Sequence, residues 1–408
     1  MSITAAATGP AAEEGGSAHW RRNLVVCIFG SFTTIVAMTL LLPFLPLYVE
    51  QLGVTNPAGI AQWSGAAFGA TYFSAALVAP LWGRLADRYG RKPMLIRASL
   101  GMAVAISLTG MVHDVYQLMG LRLLTGFLGG YASGSFVLVA TQTPKTRSGW
   151  ALGTLSSGIM AGNLAGPLLG GVLPRLIGIR ATFLAAGAVI FIAFLATLVL
   201  IREGKRPIGT VKAEQRGGFA AVPDKGPLLA MLFTGMLLML ANMSIEPIIT
   251  LYVAQIVADK AQVTVVAGIV MSAAALGSIL SASRLGKLAD RIGHRNVIVG
   301  CLAVSGVLLV PQAFVFAGWQ LVVLRFLMGL SLGGLLPCVA SVIRHNVPER
   351  VAGTMLGYSI SSQYAGQVAG PLLGGFVGGH FGMRAVFLGT AVLMAAGAAY
   401  SRIVTPRG

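Results

Sequence analysis

The sequence predicts an all-α integral membrane protein: twelve transmembrane helices in two six-helix bundles that repeat one another in parallel. Three observations carry that prediction. The chain is 56% hydrophobic and only 10% charged, with a mean hydropathy of +0.81, a balance typical of membrane rather than soluble proteins. Its apolar residues fall into twelve stretches long enough to cross a bilayer, for which about 20 residues suffice. A dense knot of charge, Gly83-Arg84-Leu85-Ala86-Asp87-Arg88-Tyr89-Gly90-Arg91-Lys92-Pro93, returns 203 positions later as Gly286-Lys287-Leu288-Ala289-Asp290-Arg291-Ile292-Gly293-His294-Arg295-Asn296.

Such a knot cannot sit in lipid, so each copy is a tight loop joining two spans at one membrane face. The echo runs further. Arg122-Leu-Leu-Thr-Gly126 is matched by Arg325-Phe-Leu-Met-Gly329, and Ala165-Gly-Pro-Leu-Leu-Gly-Gly171 by Ala369-Gly-Pro-Leu-Leu-Gly-Gly375. A period this long is a duplicated half-molecule rather than a solenoid repeat. Same-order repeats in a membrane chain place two bundles about an axis along the membrane normal, with a site between them.

In chain order, residues 1–22 form an Ala/Gly/Thr/Glu tail with no apolar core before a cleavage site; it reads as a disordered cytoplasmic tail rather than a signal peptide. The twelve spans fall near 23–50, 61–83, 93–112, 115–142, 148–176, 180–201, 227–257, 264–284, 296–316, 319–343, 351–379 and 383–402. Residues 23–201 make the first bundle and 227–403 the second. Between them, residues 202–226, rich in Gly, Lys and Arg, form a cytoplasmic linker.

Sorting the cations among the loops sets the orientation. With the N-terminus inside, cytoplasmic segments hold 22 of the 29 Lys and Arg, and the opposite face holds Arg175, Arg180, Lys260 and Arg384. That asymmetry is the positive-inside pattern, so both termini are expected in the cytoplasm. It also accounts for the net charge of +17 without nucleic acid. Cys27, Cys301 and Cys338 lie in apolar runs at no metal-ligand spacing and read as small packing residues. No metal site or cofactor is expected.

Asp87 falls just past span 2, with Arg91 one turn on and Gly83 and Gly90 permitting close approach. An aspartate there suits the positive end of a helix in the other half, near Pro348-Glu349-Arg350, and such a contact, made in one gate state only, would be a latch. The plainer reading is positive charge that fixes topology alone. Arg122 opens an Arg-x-x-x-Gly-x-x-x-Gly run through Gly126 and Gly130, and Arg325 a similar one. An Arg at the centre of a span costs about 2.5–3.5 kcal/mol on insertion scales, so each should face a wet cavity or a partner, unless Arg122 snorkels to the outer surface.

Of twelve Asp and Glu, only Glu246 lies well inside a span, followed by Pro247, which removes a backbone donor; Glu50 sits at the outer end of span 1. Glu246 is therefore a candidate proton or cation carrier; a structural acid paired with a hydroxyl or Arg is the alternative. Span 5 carries Gly158, Gly162, Gly166 and Gly170 at four-residue spacing, with Pro167 and Gly171 beside them, and span 11 repeats the pattern with Gly366, Gly370 and Gly374. Such a stripe lets a neighbouring helix approach backbone to backbone, as a rocking seam between the bundles or as plain tight packing.

Gly83-x-Leu-Ala-Asp87-Arg88-x-Gly90-Arg91-Lys-Pro resembles the loop 2-3 signature of the major facilitator superfamily, and Arg122-x-x-x-Gly126 resembles its helix 4 motif. Gly162-x-x-x-Gly166-Pro167-x-x-Gly170-Gly171 is similar to the helix 5 motif of the superfamily's drug:proton antiporters. The likeness implies alternating access, an inner-membrane location and efflux of small amphipathic compounds driven by proton influx. It assigns Asp87 and Arg91 to a cytoplasmic gate and Arg122 to proton coupling; Arg88 and the repeat's Asp290 are placed with the gate, and Glu246 joins Arg122 as a proton-coupling candidate on its position alone. In one respect the chain departs from the pattern: several such antiporters carry an acid within helix 1, and span 1 has none before Glu50. Candidate lining groups are Phe32, Asn163, Met239, Asn242, Tyr358 and Gln363, adaptable side chains suited to a loose pocket or to lipid-facing packing.

The expected partners are a small-molecule substrate, protons and the lipid bilayer, with the chain a monomer. The main rival is a proton-coupled importer of a sugar or organic acid on the same fold, which calls for more convergent polar groups in the spans. An enzyme would need a nucleophile and base, metal spacing or a phosphate loop, none of which the sequence offers. A transporter-like sensor would need a soluble domain, and the longest connection is about 25 residues.

Overall fold

In the computed structural model, residues 19–203, 222 and 225–404 are described; the tail to residue 18 and most of the 202–226 linker lie outside them. The first half comprises α1 (Trp20–Thr39), α2 (Leu45–Gln51), α3 (Pro57–Tyr89), α4 (Arg91–Thr109), α5 (Val115–Leu128), α6 (Tyr131–Gln142), α7 (Ser148–Ile177) and α8 (Ile179–Leu200). The second comprises α9 (Lys225–Ile256), α10 (Val263–Ile292), α11 (His294–Gln312), α12 (Gly318–Leu332), α13 (Leu335–Asn346), α14 (Glu349–Phe381) and α15 (Met383–Val404). Nine described helical segments are both long and apolar enough to cross a membrane, α5 with α6 and α12 with α13 each counted as one. The remaining three predicted spans are α4, α7 and α14, helices of 19, 30 and 33 residues whose glycine and polar content lowers their hydropathy.

Sharp turns repeat between the halves. Gly90 and Gly293 close the charge knots at φ of +94° and +90°, and Gly178 and Gly382 turn the chain at the opposite face at +81° and +87°. L side chains rarely adopt that backbone, so the same residue type recurs where each helix reverses. Helix starts are chemically marked: the Asn56 side chain accepts from the Ala58 backbone N–H at 3.1 Å ahead of Pro57, and Asp114 accepts from Gln117 at 2.8 Å.

Three predicted spans are interrupted. Span 1 divides at residues 40–44, span 4 at Gly129 and Gly130, and span 10 at Gly333 and Gly334. An apolar run of ample length hides such breaks, because hydropathy reads depth in the bilayer and not backbone conformation.

The glycine stripes do something other than what their spacing first suggests. A Cβ at Gly158, Gly162, Gly166 or Gly170 would meet Ile28, Ile35 with the Phe32 carbonyl, Thr39 or the Leu40 carbonyl, all on or just past α1. Gly366, Gly370 and Gly374 likewise abut Met236, Leu240 and Ser244 of α9. The four-residue stripes therefore seal helix pairs inside each half. The seam between halves belongs to the residues one position along, about 100° around the helix. Gly171 faces Thr264 and Val265, the Pro167 carbonyl faces Gly268, Gly65 faces the Pro371 carbonyl, and Gly375 faces Ala61. Replacing Gly170 by Ala is expected to force α7 off the Leu40 backbone and to destabilise the protein by about 1–3 kcal/mol. A lowered thermal midpoint in detergent checks this, with wild-type stability the opposing result.

All of those contacts between halves lie toward the face opposite the charge knots. Among the described residues, the hydrogen bonds that join the halves include Thr250 to the Pro43 carbonyl at 3.0 Å, Thr264 to Gly171 at 3.0 Å, Ser272 to Leu164 at 2.8 Å, and Gln62 with His380 at 3.2 Å. Toward the charged-loop face, the glycines of α7 and α14 (Gly149, Gly153, Gly353 and Gly357) have nothing within 4 Å of a would-be Cβ. The halves thus close together at one end and part at the other.

Candidate functional site

Between the halves lies a cavity of about 440 Å³. The first half contributes Thr39, Leu42, Tyr72, Met160, Asn163 and Pro167 to its wall; the second half contributes the rest, including Met239, Asn242, Met243, Glu246, Met271, Arg325 and Met328. Asn163, Met239, Asn242 and Glu246 were all legible in the sequence as lining candidates or as the buried acid. The three other candidates lie off this cavity. The Phe32 backbone is taken up in the α1–α7 contact at Gly162. Gln363 packs against Gly235 and donates to Ser359 Oγ at 3.3 Å, and Tyr358 stands 45% exposed on the parted stretch of α14.

Among the described residues, the wall holds one acid and one cation. Glu246 on α9 and Arg325 on α12 lie within electrostatic reach of one another, yet neither belongs to the two ion pairs found among the described residues. Arg325 is 2% exposed, and its Nε and Nη2 have no hydrogen-bond partner among the described residues. A buried guanidinium with unused donors is costly unless water, an anion or a carboxylate serves it. Tyr72, reaching in from α3, lies within electrostatic reach of both Glu246 and Arg122.

Arg122 itself departs from expectation. It neither snorkels nor lines the cavity; it is 2% exposed inside the first half, near Tyr48 and Tyr72, and its Nε and Nη2 have no hydrogen-bond partner among the described residues. Gly126 lets α5 lie against Thr71 and Ser74 of α3, and the Ser74 hydroxyl donates to the Leu123 carbonyl at 2.7 Å; Gly329 brings α12 as close to Ala274 of α10, so this packing is common to both halves.

At the charged-loop face Asp87 pairs with Arg91, one turn on, and remains 67% exposed. Asp290 faces His294 at 3.8 Å in the same arrangement. The side chains of Glu349 and Arg350, the predicted counterpart, lie outside the described ones. Sequence reading missed the partner that orders this loop. The Glu203 carboxylate, at the end of the first half, accepts from the backbone N–H groups of Arg91 at 2.9 Å and Lys92 at 2.8 Å, capping α4. It was hidden because the pairing spans more than 100 residues and follows no local motif.

The sequence profile described as Major Facilitator Superfamily matches residues 27–259 and 231–408. The chain belongs to the major facilitator superfamily. Among the superfamily's members, it is 42% identical over 384 residues to multidrug resistance protein MdtG of Enterobacter lignolyticus (strain SCF1), covering 94% of this chain and 92% of the relative. It is 43% identical to the MdtG protein of Serratia proteamaculans (strain 568), with coverage of 94% and 93%. Solved structures share the superfamily fold at low identity. A bacterial homologue of the human lysosomal transporter Spinster, in an inward-facing and unoccupied conformation, superposes with a TM-score of 0.76 at 13% identity, covering 96% of this chain and 98% of that one. The nucleoside transporter NupG superposes with a TM-score of 0.73 at 15% identity, covering 93% and 98%. The chain is thus a multi-pass membrane protein of transporter fold.

Proposed function

We propose that this protein is a proton-coupled antiporter that exports small amphipathic compounds across the inner membrane by alternating access, working as a monomer with both termini in the cytoplasm. The observation that carries the reading is the central cavity: soft and largely apolar, bounded by both halves, and lined by the Glu246 carboxyl and by Arg325, whose Nε and Nη2 have no hydrogen-bond partner among the described residues. Methionines reshape easily around unlike ligands, and few polar groups converge to define a single one, which favours loose recognition over a dedicated metabolite importer. The multidrug resistance relatives support the same direction.

In this reading Glu246 carries the proton. Protonated, it leaves the Arg325 charge unbalanced; ionised, it balances it, so the cavity's charge changes by one with each proton. Arg122 and Tyr72 extend the polar path into the first half. Gly83, Asp87, Arg88, Gly90, Arg91 and Asp290 form the cytoplasmic gate, open in the state described here, where the halves part on that side. When they close there, Asp87 is positioned to meet the N-terminus of α14, whose backbone N–H groups favour an anion.

Transport into proteoliposomes tests the reading. With an acidic lumen, chemically unrelated lipophilic dyes are expected to accumulate inside as protons leave. Accumulation only with an acidic exterior would identify a symporter and overturn it. Replacing Asn242 by Trp, which takes up cavity volume while keeping both charged residues, is expected to raise KM for the largest dyes roughly tenfold, a change of about 1.4 kcal/mol. Equal effects on small and large dyes would argue that they bind elsewhere.

A further inference from the structure

Span 4 is not one helix, and the way its break is held points to a pair of positioning residues. After α5 ends, Gly129 is extended (φ −63°, ψ −169°) and Gly130 is left-handed at +100°, so α6 starts in a new direction. A break leaves backbone carbonyls without helical partners, and such groups in a membrane must be satisfied. Two long side chains from neighbouring spans do this. The Trp82 indole N–H on α3 donates to the Phe127 carbonyl at 2.8 Å, and Arg97 Nη2 on α4 donates to the Gly129 carbonyl at 2.8 Å.

The two side chains also hold each other. The Arg97 guanidinium lies 3.6 Å from the centroid of the Trp82 ring, and the Phe127 ring meets the indole edge-on at 5.5 Å. Stacking of this kind is worth about 0.5–2 kcal/mol according to exposure. α3 and α4 thus each give a donor to the broken span and each donor packs on the other, while Arg97 Nε and Nη1 are buried without a hydrogen-bond partner among the described residues.

The duplicated half has no such set. The positions 203 residues on are Leu285 and Gly300, and there Leu285 simply packs against Gly334. The break it faces is also milder: Gly333 and Gly334 both keep right-handed helical backbone, so span 10 makes no left-handed turn that needs holding. What also differs between the halves is what the clamp connects. Trp82 stands five residues before Asp87 and Arg97 six after Arg91, so both grip the ends of the charged loop. On the far side of the break, α5 carries the buried Arg122.

We propose that Trp82 and Arg97 are positioning residues that lock the broken span 4 to the loop between spans 2 and 3, so that loop and Arg122 move as one body when the gate changes state. The inference rests on the transport reading above. Without the clamp the loop still binds its partners and the cavity still binds substrate, but loop movement is no longer passed to α5.

The test uses Trp82→Phe, Arg97→Lys and Arg97→Gln in reconstituted full-length protein. Trp82→Phe keeps a ring under the guanidinium and removes only the indole donor; Arg97→Lys keeps the charge but not the flat stacked fork. In each variant the maximal rate of proton-driven dye transport is expected to fall at least tenfold, while dye affinity measured in detergent stays within twofold of wild type. Because each residue supports the other, the double variant Trp82→Phe with Arg97→Gln is expected to be no worse than the poorer single one. Should Arg97→Gln fail to fold, Trp82→Phe and Arg97→Lys decide the matter. Wild-type rates in those two, full rescue by Arg97→Lys, or a loss of dye affinity equal to the loss of rate would overturn the proposal. Absence of transport in the wild type itself would instead remove the transport reading.

Discussion

Replacing Glu246 by Gln is expected to abolish pH-gradient-driven accumulation while leaving the protein folded in the membrane and able to bind dye. The loss should be at least roughly 100-fold, the lower end of what a positioned proton-transfer group contributes. The amide keeps the size and hydrogen-bonding character of the acid on the cavity wall, so packing is preserved; what disappears is the only described acid lining that cavity. Passive exchange of dye down its own gradient should persist, because rocking needs no proton when no uphill work is done. Transport measured with and without an imposed pH difference separates the two components. An unchanged pH response in this variant would move proton coupling elsewhere, with Arg122 and Tyr72 next to be examined.

A second large effect is expected from Gly375→Val on α14. A Cβ there would lie 2.5 Å from the Ala61 carbonyl of the other half, closer than any real contact, and both sides are backbone that cannot step aside. Each half is internally untouched, so the cost falls on the state in which the halves meet at this end. An overpacking cost of about 1–3 kcal/mol shifts that equilibrium by roughly 5- to 150-fold. The expected result is a protein biased toward opening opposite the charged loops, with transport suppressed. Labelling of a cysteine placed at Gln62 should quicken accordingly; unchanged labelling together with full transport would contradict the closed seam described here.

Much of this architecture was legible in the chain because it rests on local or repeated signals. Apolar length marked the spans, the 203-residue echo marked the two halves, and the isolation of Glu246 among apolar residues marked the acid on the cavity wall. What escaped the sequence depends on rotation and distance. Gly170 and Gly171 look alike in a motif, yet about 100° of helix separates the seam within a half from the seam between halves. Arg122 and Arg325 open equivalent motifs, and Gly126 and Gly329 bring each helix equally close to its neighbour, yet Arg325 lines the cavity and Arg122 does not. Glu203 reaches across more than 100 residues to cap α4, and Trp82 and Arg97 acquire meaning only once the break at Gly130 leaves carbonyls for them to meet.

The account turns on the two halves rocking in opposite senses at the two faces, with Glu246 protonation setting the bias. Spin labels at Arg84 and Lys287, both exposed on the charged loops, and in a second sample at Tyr116 and Trp319, exposed at the other face, report the two openings directly. Acidification with substrate is expected to move the two distance distributions reciprocally, one narrowing as the other widens, and Glu246→Gln should erase the response to pH. Distances that change together, that stay fixed at both faces, or that answer to pH as before in Glu246→Gln would contradict it.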